Sequence, residues 1–247
     1  AYITVADSNG FLVSGLLAPD FAVLEDGLPI ADFSLSRVQN TAQPLAIMLV
    51  IDSSSYANRQ PLPTGLQESI AAASSFIDLL KPQDQVGALT YSDVPNDVSP
   101  FTSDRAALKE SLQRIRTGNK AAMLDALLGA VDSLEVRTER RVIILISNGR
   151  DTRSKSTVDQ VVSAANAASV QIFPIGIGDE NEVNIEQLRK LAGGTGGSEF
   201  IRPTPNALEA ALNSILQVLR DQYLVEYTSA LPADQRGHSL QIEATVQ

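Results

Sequence analysis

Strand-like and helix-like hydrophobic patterns alternate along the chain from residue 45 to about residue 220. Short apolar runs predict buried strands at Leu45–Ile51, Val86–Tyr91, Val142–Ser147 and Gln171–Gly176. Apolar positions at helical spacing predict helices at Gly65–Leu80, from Thr102-Ser103-Asp104 to Ile115, at Met123–Val136, Ser156–Ser169, Ile185–Leu191 and Ala207–Leu219. This alternation predicts an α/β fold, with a Rossmann-like, doubly wound, mostly parallel central sheet and helices on both of its faces.

The two ends of the chain alternate polar and apolar residues over shorter distances. Residues 1–40 contain strand-like pieces separated by turns such as Asp26-Gly27, and residues 222–228 and 239–246 flank a loop with Pro, Asp and Gly. We therefore expect an N-terminal β segment (1–40), an α/β domain (41–221) and a C-terminal β hairpin (222–247) that pairs with the N-terminal segment as a small β accessory module. Since Ala1 opens directly into a strand-like segment without an initiating Met, we expect a piece of a longer or processed chain.

Composition narrows the classes of function. The net charge of −10, from 19 basic and 29 acidic residues, argues against a nucleic-acid partner. No apolar run approaches the roughly 20 residues that a membrane-spanning helix needs, so we expect no membrane insertion in this segment. The absence of cysteine excludes disulfides, thiolate nucleophiles and cysteine-based metal sites.

The loop after the first buried strand carries the main candidate chemistry. Asp52 ends that strand and three serines follow it, at the edge where open α/β sheets bind their ligands. Carboxylate and hydroxyl oxygens suit Mg²⁺. Considered alone, this loop favours a Ser/Asp turn that caps the next helix over a metal site.

Four motifs that occur in order along the chain resemble the von Willebrand factor A (integrin I-like) family. They are Asp52-Ser53-Ser54-Ser55-Tyr56, Ala121–Leu127, Ile146–Asp151 and Ile175–Asp179. The resemblance covers roughly residues 44–220. It implies a binding module whose Asp-x-Ser-x-Ser motif, a Thr and a later Asp form a metal-ion-dependent adhesion site, and a partner's acidic residue completes the coordination of the metal.

The chain departs from that pattern at three of the positions that the resemblance assigns to metal ligands. Asp52 and Ser54 match, whereas Tyr56, Ala121 and Asn148 replace a hydroxyl residue, the Thr and the Asp. One carboxylate holds a hard dication weakly. We therefore predict an incomplete metal site of Asp52 and Ser54, with at most weak Mg²⁺ binding and no other cofactor; Thr117 becomes an alternative ligand only if its loop is rearranged.

The same loops define a predicted face for a protein partner. Its residues are Ser53, Ser55, Tyr56, Asp93, Lys120, Ala121, Asn148 and Arg150. Tyr56 is the main hot-spot candidate because aromatic side chains contribute a large contact area; the alternative is that it packs beneath the loop.

Enzyme motifs are weak. The only histidine, His238, lies in the predicted hairpin, and no Gly-x-Ser-x-Gly nucleophile elbow occurs. Gly176-Ile177-Gly178 lacks the third glycine of a dinucleotide-binding loop. We assign no catalytic residue. A metal-assisted phosphoryl hydrolase is the least favoured alternative, because Ala121 and Asn148 stand where further carboxylates would be needed.

The resulting hypothesis is a non-enzymatic protein-binding or adhesion module of a larger bacterial secreted or surface protein. The β-rich flanks are similar to those of bacterial members of the family, which implies an extracellular, periplasmic or cell-surface location. Two alternatives are a working Mg²⁺-dependent adhesion site and a purely structural or assembly domain. Exposed apolar residues at the top of the sheet would favour binding, and an all-polar top would favour a scaffold.

Overall fold

The computed structural model describes residues 1–3, 5, 13, 15–39, 43–55, 65–178, 181–201, 205–231 and 238–245. The chain divides into two compact units, here called the α/β unit (Ala42–Ile215) and the β unit (Ala1–Thr41 with Leu216–Gln247). The strands are β1 (Tyr2–Ile3), β2 (Phe21–Glu25), β3 (Leu28–Pro29), β4 (Phe33–Gln39), β5 (Leu45–Asp52), β6 (Gln85–Tyr91), β7 (Pro95–Thr102), β8 (Arg140–Ser147), β9 (Gln171–Gly176), β10 (Phe200–Ile201), β11 (Asp221–Tyr227) and β12 (Leu240–Ala244). The helices are α1 (Gly65–Asp78), α2 (Arg105–Gln113), α3 (Met123–Glu135), α4 (Val158–Ala167), α5 (Ile185–Gly194) and α6 (Pro205–Arg220).

The α/β unit is built on a sheet with the strand order β10-β9-β8-β5-β6-β7. Each neighbouring pair in this sheet is parallel except β6 and β7, which are antiparallel. All eight residues of β5 are buried, as expected for a central strand that is covered on both faces. The predicted α/β fold with a mostly parallel sheet is therefore confirmed.

Helices cover both faces of this sheet. The alternate β5 residues Ala46, Met48 and Val50 belong to one hydrophobic cluster with buried residues of α3, α4 and α5. Helix α1 contacts β5, and its buried residues lie outside that cluster, so it covers the opposite face. Helix α2 begins where the sequence predicts, because the Asp104 carboxylate caps it by accepting the Ala107 N–H at 3.0 Å. Within the described residues, none of the helices combines the length and the apolar character needed to cross a bilayer.

Strand β7 is an element that the hydrophobic pattern does not predict. It lies at the edge of the sheet, where it pairs with β6 alone, and most of its residues are exposed or half-buried. It contains Pro95 and Pro100, which an edge strand tolerates because its outer side needs no ladder donor. An exposed, proline-containing strand has the composition of a loop, and this explains why the sequence does not reveal it.

The described residues of the β unit form two antiparallel sheets, ordered β1-β11-β4 and β12-β2-β3. The predicted pairing of β11 with β12 as a hairpin is wrong, because the two strands lie in different sheets; each of them does pair with strands of the N-terminal segment. The physical reason is that β11 has partners on both sides. In addition, the connection from residue 228 to residue 239 exceeds the 2–5 residues of typical hairpin loops.

Polar contacts join the two ends of the chain within the β unit. Buried Glu25 accepts the Tyr227 hydroxyl at 2.9 Å and the Ser229 hydroxyl at 2.7 Å, one on each carboxylate oxygen. Nearby, the Asp26 carboxylate pairs with the His238 ring at 2.7 Å and accepts the Ser239 N–H. His238 therefore has a structural partner at the surface of the β unit.

Candidate functional site

Three adjacent strands of the α/β unit end side by side. The register places Asp52 of β5 opposite Tyr91 of β6, and β8 ends at Ser147 on the other side of β5. The carboxyl ends of parallel strands lie at one edge of a sheet, so the loops that follow these strands meet there. Open α/β sheets bind their ligands at this edge. We call this region the carboxyl edge.

Asp52 is fully buried at the carboxyl edge. Its Oδ1 accepts the Ser54 N–H at 2.8 Å, whereas Oδ2 has no hydrogen-bond partner among the described residues. Burial raises the pKa of Asp52 above its ordinary value, although the Ser54, Tyr91 and Ser147 groups near the carboxylate oppose that rise. A buried carboxylate with an unsatisfied oxygen is costly, which marks this position as one that a purely structural role does not explain.

Tyr91 and Ser147 form a buried hydroxyl pair beside Asp52. The Tyr91 hydroxyl donates to Ser147 Oγ at 2.6 Å, and Ser147 Oγ in turn accepts the Gly149 N–H at 2.8 Å. Burial and the nearby charge of Asp52 raise the pKa of Tyr91 well above its ordinary value. The tyrosine therefore stays protonated and acts as a fixed hydrogen-bond donor.

Ser53 and Ser54 face the interior. Ser53 is 1% exposed, and both its N–H (3.0 Å) and its Oγ (2.9 Å) donate to the Tyr91 carbonyl. Ser54 is also fully buried. The placement of Ser53 on the partner-binding face is therefore wrong, because the long-range bonds to Tyr91 turn this side chain inward.

The segment between α2 and α3 closes over this loop. The Gly118 N–H donates to the Ser53 carbonyl at 2.9 Å, and Ser55 Oγ donates to the Asn119 carbonyl at 2.6 Å. The Asn119 N–H in turn donates to the Asp93 carboxylate at 3.1 Å. These bonds place Ser55 and Asp93 beside Asn119, and the exposed Lys120 follows Asn119 in the chain.

Ala121 is fully buried, and both its backbone N–H and its carbonyl are hydrogen-bonded to Thr152 in another loop. Its N–H donates to Thr152 Oγ1 at 3.1 Å, and its carbonyl accepts the Thr152 N–H at 2.9 Å. Ala121 therefore cannot contact a partner in this conformation, and its assignment to the binding face is corrected. Sequence reasoning missed Thr152, because its role depends on a contact between segments 31 residues apart.

The loop after β8 divides into a buried and an exposed part. Asn148 is 4% exposed, and its Oδ1 accepts the Arg150 N–H at 2.9 Å. Arg150 is exposed, and its guanidinium donates to the Glu182 and Asn181 carbonyls at 2.6 and 2.7 Å. Of these two predicted face residues, only Arg150 reaches solvent; Asn148 lies below it because its side chain closes the turn.

Two other acidic residues near the carboxyl edge have structural roles. Asp151 accepts the N–H groups of Leu124, Arg153 and Ser154 at 2.8–3.1 Å, which holds the start of α3. For Asp125, burial disfavours ionisation, but hydrogen bonds from Ser156 and Lys155 outweigh it and lower the pKa. Asp151 therefore holds the start of α3, and Asp125 holds the loop that precedes α4.

The predicted site thus consists of two layers. The buried layer, here called the floor, contains Asp52, Ser53, Ser54, Ala121 and Asn148. The accessible layer, here called the rim, contains Ser55, Asp93, Lys120 and Arg150, and also Val94, which is 56% exposed. Tyr56, the predicted hot spot, lies outside the described residues.

The floor does not fit a tightly held divalent cation. Asp52 is its one carboxylate, and Ala121 contributes no side-chain oxygen. The Asn148 amide oxygen already accepts the Arg150 N–H. No group of three or more His, Cys, Asp or Glu side chains arranged to hold a metal occurs among the described residues. Mg²⁺ keeps several waters among its roughly six oxygen ligands, so one carboxylate with few further protein oxygens would hold it only weakly.

Comparison with known proteins agrees with this architecture. The family model described as von Willebrand factor type A domain matches residues 46–215. A UPF0353 protein of Mycobacterium tuberculosis is 24% identical over 198 residues, which cover 69% of this chain and 59% of the relative. The chain therefore matches only about three fifths of the length of that relative.

Solved structures with the same fold include three proteins of differing origin. The conserved hypothetical protein BatB of Bacteroides thetaiotaomicron superposes with a TM-score of 0.60 at 20% identity, covering 71% of this chain and 99% of that one. The vWF domain of the type V pili tip protein Mfa5 of Porphyromonas gingivalis gives 0.61 at 16%, covering 72% and 96%. Proximal thread matrix protein 1 of the mussel byssus, with a zinc-occupied MIDAS motif, gives 0.67 at 18%, covering 78% and 50%.

Proposed function

Because the chain belongs to the von Willebrand factor type A domain family, we propose that it is a non-enzymatic module that binds a protein partner through the rim of its carboxyl edge. The observation that carries this proposal is the exposed apolar side chain of Val94 among the polar rim residues, above a buried floor. Protein interfaces combine apolar contact area with hydrogen-bonding and charged groups, and Val94 adds the apolar part to the polar rim. An all-polar edge would have favoured a scaffold role instead.

The rigidity of the floor supports this proposal. The hydrogen bonds of Ser53, Tyr91, Ala121 and Ser147 fix the loops that present the rim. A surface that is already ordered before binding loses less conformational entropy on association. The rim therefore suits recognition of a folded or extended protein segment.

The setting of the proposed module is a larger bacterial secreted or surface protein. One structural relative is the tip protein of a pilus, and the M. tuberculosis relative is longer than the matched region. These likenesses favour an extracellular, periplasmic or cell-surface location and are compatible with further parts beyond the matched region.

We further propose that metal contributes little to this binding. The mussel protein holds zinc in its MIDAS motif, but here Ala121 and Asn148 replace two of the oxygen-bearing residues of the family pattern. The unsatisfied Asp52 Oδ2 is the one observation that favours the alternative of a working Mg²⁺-dependent site. We interpret that oxygen as the remnant of such a site, able to bind Mg²⁺ only weakly.

Photo-crosslinking tests the proposal even though the partner is unidentified. A photoreactive residue at Val94 or at Lys120 is exposed to extracts of the source organism in the presence of EDTA, and the same residue at the exposed Val136 serves as the control. We expect the same adduct from both rim positions, blocked by excess unlabelled protein but not by a Val94→Asp, Lys120→Glu variant. Equal labelling at Val136, or an adduct that requires Mg²⁺, would contradict the proposal.

A further inference from the structure

The pair Asn148-Gly149 lies in the turn after β8, and Asn148 belongs to the floor of the carboxyl edge. An asparagine that precedes a glycine is especially prone to deamidation, because glycine has no side chain to hinder attack by its backbone nitrogen. The fold requires this glycine. The φ angle of Gly149 is +73°, and a Cβ there would lie 2.7 Å from Leu188 Cγ and 2.9 Å from the Asn184 carbonyl oxygen. The structure therefore builds a chemically labile pair into the floor.

Hydrogen bonds in the closed loop hold the two reacting groups of this pair. Deamidation begins when the Gly149 nitrogen, after losing its proton, bonds to Asn148 Cγ. In the structure the Gly149 N–H donates to Ser147 Oγ at 2.8 Å, so it must turn away from Ser147 before the new bond can form. The Asn148 amide is held as well, because its Oδ1 accepts the Arg150 N–H at 2.9 Å. The Asn184 N–H fixes the backbone by donating to the Asn148 carbonyl at 2.8 Å.

Burial protects the pair in a second way. Asn148 is 4% exposed, so little water or base reaches it while the loop is closed. Deamidation must therefore start from molecules in which this loop has opened locally, and its rate follows the free energy of that opening. Ser147 Oγ, which accepts the Gly149 N–H, also accepts the Tyr91 hydroxyl at 2.6 Å. The hydrogen bonds of Ser147 thus connect the stability of the floor to the reactivity of the pair.

We propose that Asn148 is a modification site, which deamidates spontaneously at a rate that the hydrogen bond from Gly149 to Ser147 controls. The Gly149 nitrogen gives its proton to a solvent base and bonds to Asn148 Cγ, and the side-chain nitrogen leaves as ammonia. Water then opens the resulting succinimide at either of its carbonyls and yields aspartate or isoaspartate. Water is the only co-reactant, and nothing is oxidised or reduced.

Either product changes the carboxyl edge permanently. It adds a carboxyl group to the floor that already contains the buried Asp52. Isoaspartate also lengthens the backbone by one methylene group immediately before Gly149, and so alters the turn that presents Arg150 on the rim. Deamidation is therefore a slow, one-way change of this edge. The inference goes beyond the proposed function and does not depend on it, because it rests on the loop after β8 alone.

The test follows deamidation at residue 148 by digestion and mass spectrometry, while the whole chain is kept at mildly alkaline pH and body temperature. A capped peptide of residues 146–151 serves as the unprotected reference. We expect the parent protein to convert measurably but at least about tenfold more slowly than the peptide, because several hydrogen bonds must break before the loop opens. Ser147→Ala removes the acceptor of the Gly149 N–H, and the loss of one hydrogen bond should speed the conversion about fivefold.

Tyr91→Phe is the matched control, since it removes the other hydroxyl of the same buried pair but leaves Ser147 Oγ to accept the Gly149 N–H. Its rate of conversion should stay close to that of the parent. Equal acceleration by Tyr91→Phe and Ser147→Ala would overturn the proposal, because it would assign the rate to general destabilisation. A parent protein that converts as fast as the peptide, or that does not convert at all, would also overturn it.

Discussion

Each unit of the molecule contains a buried carboxylate at a strand end, and the two carboxylates differ in their hydrogen bonds. Glu25 ends β2, and each of its oxygens accepts a hydroxyl, from Tyr227 and from Ser229. Asp52 ends β5, and one of its oxygens has no hydrogen-bond partner among the described residues. A satisfied carboxylate stabilises the structure around it, whereas an unsatisfied one costs stability. The difference indicates that Glu25 joins the ends of the β unit, whereas the burial of Asp52 costs the α/β unit stability.

The largest expected effect is the loss of stability on removing the satisfied carboxylate. Glu25→Ala removes two hydrogen bonds to a charged group and should lower the free energy of unfolding of the β unit by about 3 kcal/mol. Amide hydrogen exchange in β2 and β11 measures this locally. Glu243→Ala, at an exposed position on β12, should change little; an equal loss there would mean that Glu25 has no special role.

A second buried carboxylate in the floor should destabilise the α/β unit further and so enlarge its difference from the β unit. Asn148→Asp places another buried acid at the edge that holds Asp52, and should lower the stability of the α/β unit by about 2 kcal/mol in EDTA. Since the substitution restores a ligand type of the family pattern, Mg²⁺ should recover much of the loss. Thermal unfolding with and without Mg²⁺ measures both effects, and a variant as stable as the parent in EDTA would contradict the account of the floor.

Neutralising Asp52 should have the opposite sign to neutralising Glu25. Because burial raises the pKa of Asp52, its contribution to stability is fully present below the unfolded-state pKa of about 3.9 and is lost as the pH rises through the folded-state pKa. Asp52→Asn should therefore raise the free energy of unfolding by about 1 kcal/mol at neutral pH in EDTA. The gain should shrink towards acidic pH. Urea unfolding at several pH values checks this, with Glu25→Gln as the control, which should be destabilised.

The smallest effect is expected at the exposed Asp26–His238 pair of the β unit. The hydrogen bond from His238 is the main cause that lowers the pKa of Asp26, so the stability it contributes is present above the unfolded-state pKa and is lost as the pH falls through the folded-state pKa. Asp26→Asn should slightly lower the Tm at neutral pH and have no effect at strongly acidic pH. If the Tm difference did not depend on pH, the effect would come from packing and not from the ionised Asp26 carboxylate.

Much of the α/β fold could be predicted because its strands are buried. The apolar runs of β5, β8 and β9 and the helical spacing of α1 and α3 leave few alternatives. By contrast, β7 is exposed and contains two prolines, and β11 and β12 have partners far away in the sequence. Pairing over such distances leaves no local pattern, so the predicted hairpin was wrong.

The sequence predicts where the site lies but not which of its side chains are exposed. The ends of β5 and β8 locate Asp52 and Asn148 at one edge, which follows from parallel strand geometry. Whether Ser53 and Ala121 reach solvent depends on their bonds to Tyr91 and Thr152, which join separate segments. Val94 was not predicted, because its exposure depends on how the loop between β6 and β7 folds.

Isothermal titration with Mg²⁺ and with Mn²⁺ tests the central claim most directly, namely that the floor is a degenerate metal site beneath a metal-independent binding rim. The protein and its Asp52→Asn variant are titrated side by side after treatment with EDTA and its removal. We predict no binding tighter than millimolar for either protein. Tighter binding that disappears in Asp52→Asn would contradict the account and would identify a working metal-dependent site.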